Sequence, residues 1–307
     1  MMNAAAISQK MNELFQPVKL RIKWPGTARK LEDSERDTAA ESLDADAEQI
    51  KAAAQLFPVD SRGRILSEPW QRCITIRNEA RAAWKRATIK YDDGLRLLRR
   101  DSVESFRARI AELTADLESA AGDVQAEYYS LRSDARAKLR GLYREENYPD
   151  RIDSAFGLSL EWPSLATPQW FMDTMPALYA QVEESTQGRI AGAVAQFEAE
   201  ALSRLNELIG TLADSLTPGP DGRARTLKTA TLENLRGFIA QFRELSIGSA
   251  PDIDSLVARA EAVISGVGQP DLRDSAALRA SVQGKLAQLR ADGAALAEAA
   301  PRRRIDR

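Results

Sequence analysis

Histidine is absent from the 307 residues, and cysteine occurs once, at Cys73. The first absence removes the usual general base at neutral pH, the usual zinc ligand and every triad built on an imidazole. A lone cysteine leaves no disulfide within the chain, which fits a reducing compartment. Aromatics make up only 6% of the residues although the apolar share reaches 44%. The apolar side chains are therefore mostly alanine and leucine, which suit narrow helix–helix seams better than a thick core. No apolar run approaches the roughly 20 residues that cross a bilayer. The opening MMNAAAISQKMNELF has neither a basic n-region nor a continuous apolar stretch, so no signal peptide is expected. Walker A, GxGxxG, GxSxG and HExxH patterns are missing. A net charge of −2 creates no global field toward nucleic acid or membrane. These absences lead to the expectation of a cytoplasmic protein that is not an enzyme, with no catalytic residues, metal or cofactor.

What the sequence does have is helical periodicity. Residues 4–15 read as a short helix. VKLRIKWPG then alternates Val18, Leu20, Ile22 and Trp24 with basic residues, a strand pattern closed by Pro25-Gly26. A helix is expected from Glu32 to about Leu56, stopped by Pro58 and the Asp60-Ser61-Arg62-Gly63 turn. Residues 69–87 return to a helical pattern, with Trp70, Ile74, Arg77 and Arg81 near one another. The Asp93-Gly94 pair within TIKYDDGLRLL marks a turn in a short extended element.

The strongest signal begins at Asp101, expected with Glu104 to cap a helix. Val103, Phe106, Ile110, Leu113, Leu117, Ala120 and Val124 recur at 3-4 spacing, the pattern of a coiled-coil seam. After a four-residue slip, Tyr128, Leu131, Ala135, Leu139 and Leu142 continue it. The expected helix ends near Glu146, before Pro149, with a length of roughly 65–70 Å. From Pro176 to Leu216 a second seam runs through Tyr179, Val182, Ile190, Val194, Phe197, Ala201, Leu205, Leu208, Leu212 and Leu216. Another protein's helix would satisfy either seam. The matched lengths favour pairing within the chain, as an antiparallel hairpin.

The expected fold class is thus mainly α: a coiled-coil hairpin over 101–216, with a small aromatic and β cap at its tip, 150–175. Residues 1–100 form an N-terminal helical region with short extended segments. Residues 223–300 form a C-terminal helical region, with helices near 229–246, 252–265 and 272–299 after the Thr217–Gly222 break. Residues 301–307 form a basic tail. Within the tip, Trp162, Trp170 and Phe171 are the candidate partner contacts, because exposed aromatics anchor interfaces; packing on one another to close the hairpin is the alternative. Arg302, Arg303 and Arg304 lack interleaved aromatics and read as a solvated tail. The acidic group Glu32, Asp33, Glu35 and Asp37 lacks the spacing of a calcium loop and reads as a solvated face. Tyr91-Asp92-Asp93-Gly94 reads as a turn rather than a carboxylate dyad.

Four stretches in order, KWPGTARK, TIKYDDGLRLLRRD, ARAKLRGLYREENYP with FGLSLEWPSL, and LENLRGFIAQF, resemble an uncharacterised family of coiled-coil-rich proteins from phages and mobile elements. The resemblance covers residues 18–265. Proteins of that family are encoded near a MoxR-type AAA+ ATPase and sometimes a von Willebrand A-type protein. The resemblance implies a phage or prophage structural or adaptor protein in a bacterial cell, with an AAA+ ATPase as a partner. The alternative is a nucleic-acid-associated accessory protein in phage replication or recombination, using arginine and lysine faces of its helices.

Overall fold

A computed structural model of the chain describes residues 3–43, 53–165, 169–218 and 227–299. Those residues are mainly helical, with short antiparallel strands. In order they form α1 (Ala4–Leu14), β1 (Phe15–Lys23), β2 (Ala28–Lys30), α2 (Asp33–Leu43), β3 (Ala53–Gln55), α3 (Glu68–Ala87), β4 (Thr88–Asp92) and β5 (Leu95–Arg99). They continue with α4 (Val103–Leu139), β6 (Gly157–Glu161), α5 (Gln169–Thr174), α6 (Pro176–Leu216), α7 (Thr229–Leu245), α8 (Pro251–Ile264), α9 (Gln269–Asp274) and α10 (Ala276–Ala299). No helix among the described residues is long and apolar enough to cross a membrane.

Two compact units interleave along the chain. The first comprises Met1–Pro17, Arg86–Asp101 and Pro163–Arg307; the second comprises Val18–Lys85 and Ser102–Trp162. Neither coincides with a consecutive stretch such as 101–216.

In the first unit, α6 supplies Leu205, Ile209, Leu212 and Leu216 to a core completed by α7, α8, α9 and α10. Leu232, Leu235, Leu256, Leu272 and Leu286 from those helices are all at most 1% exposed. Each such leucine contributes about 1.5–3 kcal/mol by leaving water. A second apolar cluster joins Met11, Phe15, Ile89, Leu97, Ile190, Val194, Leu245 and Ile247, and Lys10 Nζ donates to the Ile247 carbonyl at 2.6 Å. β4 and β5 form a hairpin with Thr88 opposite Leu98 and Ile89 opposite Leu97. Its two-residue Asp93-Gly94 loop places Gly94 at φ +71°, a conformation open to glycine at no steric cost. The expected C-terminal helix of 272–299 is broken at Ser275, whose hydroxyl accepts the Leu278 N–H at 3.2 Å and starts α10 afresh.

In the second unit, α3 runs antiparallel to α4. Arg72 pairs with Asp123 at 3.1 Å, Glu79 with Arg109 at 3.4 Å, and Ser67 Oγ donates to Glu127. Ser67 also accepts the Trp70 N–H at 3.1 Å, which caps α3. The buried face of α4 is Phe106, Ile110, Leu113, Leu117, Ala120, Ala121, Val124, Tyr128, Leu131 and Ala135. That face contains the expected seam from Phe106 to Ala135, whereas Val103, Leu139 and Leu142 are only half-buried and Leu142 lies beyond the helix; β6 and the turn at 153–155 pack on α4. An aromatic cluster completes the core: Phe57 lies 4.8 Å from Trp70, Trp70 lies 5.3 Å from Phe156, and Phe156 lies 4.9 Å from Trp24. β1 pairs with β6 from Lys19 opposite Glu161 to Lys23 opposite Gly157, and β2 pairs with β3.

The pairing of 101–146 with 176–216 as one hairpin is not confirmed. α4 and α6 belong to different units, and each has partners within its own unit that bury most of its seam. The tip segment is divided between the two units. Phe156 and Leu158 are buried in the second unit, whereas Trp170 and Phe171 belong to the first. Asp101 pairs with Arg99 at 2.7 Å, and Ser102 stands at the N-cap position of α4. The helix ends at Leu139 rather than Glu146, because Arg140 takes φ +49° and the chain turns back to stack Tyr143 on Tyr148. The helix expected from Glu32 to Leu56 is described only as α2, and Ala53–Gln55 is a strand.

Candidate functional site

The residues with the clearest claim to a binding role lie where α5 meets α6 in the first unit. Pro176 occupies the first turn of α6 and forces the preceding Met175 out of helical geometry, to φ −141° and ψ 64°. A kink results, but two backbone bonds bridge it. Met175 N–H donates to the Phe171 carbonyl and Tyr179 N–H to the Met175 carbonyl, each at 2.9 Å. The Thr174 hydroxyl donates to the Trp170 carbonyl at 2.8 Å and helps close α5.

The geometry sets large apolar side chains outward. Trp170 is 60% exposed, Met175 50%, Leu178 42% and Met172 40%. Phe171 is half-buried and holds the Trp170 ring edge-on at 5.2 Å between centroids. Below them the α6 seam continues as Tyr179 and Val182, both half-buried, until Thr186 becomes its first buried residue. An apolar helical seam therefore runs about three turns beyond the part that its own unit buries. Single exposed apolar residues are ordinary on a protein surface; Trp170, Phe171, Met172 and Met175 fall within six residues, and that composition is typical of a docking surface.

Of the three aromatics expected to act together, Trp170 and Phe171 are in contact within the first unit, and Trp162 belongs to the second. Trp162 closes the second unit after β6, where it is 38% exposed. The sequence reading missed Met172, Met175 and Leu178, although their proximity to Trp170 and the Pro176 helix start were signals in plain view.

The remaining candidates have structural employment. Glu35 accepts two hydrogen bonds from Arg29 at 2.7 Å each, and Arg144 adds another at 3.0 Å. Hydrogen bonding from Arg29 is the main reason its carboxyl is held down to about 2. Asp33 pairs with Arg36 on the same helix. Asp92 accepts the Asp93 N–H at 2.8 Å and so belongs to the hairpin turn. Cys73 is fully buried, and desolvation pushes its thiol up to about 11, which makes it a poor nucleophile at neutral pH. Arg302, Arg303 and Arg304 lie outside the described residues. Comparison with protein-family models, with curated proteins and with solved structures finds no match to this chain.

Proposed function

We propose that the chain is a non-enzymatic adaptor that docks a partner protein on the apolar surface formed by Trp170, Phe171, Met175 and Leu178. One observation carries this reading: the apolar seam of α6 continues beyond the segment its own unit covers. Burying that seam against a partner helix would extend the packing already made lower on α6. The resemblance to coiled-coil proteins of phages makes a MoxR-type AAA+ ATPase the first partner to test, in the cytoplasm of a bacterial or phage-infected cell. Trp162 is a separate candidate contact on the second unit.

The test is affinity purification of the whole chain from its own host, wild type beside the double variant Trp170→Ser, Leu178→Ser. Both residues are exposed, so the circular dichroism spectrum and melting temperature should be unchanged. Loss of a stoichiometric partner from the folded variant supports the docking surface. Equal recovery of the same partners by both proteins refutes it.

A further inference from the structure

The second unit carries a different kind of surface at the C-terminal end of α4. Tyr129, Arg132, Ser133 and Arg136 sit at positions i, i+3, i+4 and i+7 and so share one face of the helix. With Tyr143 and Glu145 they line an open cavity of about 280 Å³. Tyr129 is 86% exposed, more than any other large apolar or aromatic side chain described. Its ring adds nothing to the core and lines the same cavity as Arg132 and Arg136.

The guanidinium groups of both arginines lie near aromatic rings. Arg136 lies 4.9 Å from the Tyr143 centroid, and Tyr143 stacks on Tyr148 at 4.7 Å. Arg132 lies 5.7 Å from the Tyr128 centroid and 6.0 Å from that of Tyr148. Such cation–π contacts hold the guanidinium groups near the rings, and their N–H groups meet an anion. One carboxylate now fills that place: Glu145 accepts from Arg132, from Arg136 at 3.0 Å and from the Tyr143 hydroxyl at 3.0 Å. Glu145 is 57% exposed and sits in a single-turn segment, Glu145–Asn147, not in the helix. It is an anion that can be replaced without opening the core.

We infer that this cavity binds single-stranded nucleic acid, with one base stacked on Tyr129 and the adjoining phosphates on Arg132 and Arg136 in place of Glu145. A stacking ring next to paired arginines is the arrangement that grips an unpaired strand without reading its sequence. A phosphate matches the arginine fork as a carboxylate does, and carries its charge on more oxygens. A strand is favoured over a free nucleotide because Arg136 stands seven residues on and about 10 Å from Tyr129 along α4. That distance exceeds one nucleotide. The site is local in a chain of net charge −2, so few phosphates are engaged. Two or three give a slope of log K against log salt of about −1.4 to −2.1.

The test uses the full chain and a fluorescein-labelled oligothymidylate, with binding followed by anisotropy across a salt series. Wild type should bind saturably with that shallow slope. Tyr129→Ala should weaken binding about 5- to 150-fold, the effect of one stacked base, with no change in melting temperature. Arg136→Ala should weaken binding and reduce the slope by about 0.7. Glu145→Gln should tighten binding, since it removes the internal anion that competes with phosphate. The inference is overturned if wild type shows no saturable binding, or if Tyr129→Ala binds as wild type does. It is equally overturned if Glu145→Gln fails to tighten binding, or if duplex DNA or thymidine monophosphate competes as well as the unlabelled single strand. None of these variants touches Trp170 or Leu178, so this result and the adaptor test can fail separately.

Discussion

Gly293 on α10 lies directly against the side chain of Asn206 on α6, so close that a methyl group on its Cα would overlap the Asn206 amide. One turn away the relation is mirrored: Gly210 of α6 faces Arg290 of α10, whose Cζ would be 3.3 Å from an added Cβ. The two helices approach at a distance that only small residues permit, and this is how α10 comes to cover the α6 seam. Gly293→Ala should therefore destabilise the chain by about 1–3 kcal/mol through overpacking. Gly284→Ala, on the same helix with nothing within 4 Å of its Cβ position, should stabilise it by about 0.5–1 kcal/mol. Urea denaturation of the two variants checks both signs.

The register of α4 makes a sharper demand. Leu113 is 1% exposed, whereas Glu112 is exposed and pairs with Arg109 at 3.0 Å. Leu113→Asp would bury a carboxyl with no partner and should cost about 4 kcal/mol or more. Glu112→Ala should stay within about 0.5 kcal/mol. Equal melting shifts for the two would contradict the register.

Acid should protonate Glu35 in the folded chain only well below the ordinary carboxylate range. Arg29 and the Glu32 N–H hold it down to about 2, against an ordinary value of 4.5. A depressed value in the folded state means that the stabilisation is complete above the unfolded value and is lost as pH falls toward the folded one. Wild-type urea midpoints should decline between about pH 4.5 and pH 2. Glu35→Gln, with no charge to lose, should show a smaller decline across that window. Parallel curves would contradict the assignment.

Much of the helical framework was legible because its signals are local. The α4 seam from Phe106 to Ala135, the Pro176 start of α6, the Asp93-Gly94 hairpin and strand β6 all follow from spacing or turn chemistry within a dozen residues. What could not be read was which seam meets which. Nothing in the apolar pattern distinguishes α6 from α3 as a partner for α4, because both offer small and aliphatic residues at the same period. The discriminating features are long-range pairs such as Arg72 with Asp123, and the meeting of Trp24, Phe57, Trp70 and Phe156 from distant segments. For the candidate surfaces, Trp170 and Phe171 stood out by composition. The Tyr129 stripe was hidden because its neighbour Tyr128 carries the seam, and one tyrosine of the pair is buried while the other is exposed.

The most direct measurement of the docking claim is photo-crosslinking in the native host, with benzoylphenylalanine in place of Trp170, of Leu178 or of Lys285, an exposed position on α10 far along the chain. Positions 170 and 178 should each yield one discrete adduct with the same protein, and position 285 should yield none. No adduct at 170 and 178, or the same adducts at all three positions, would contradict a docking surface at the junction of α5 and α6.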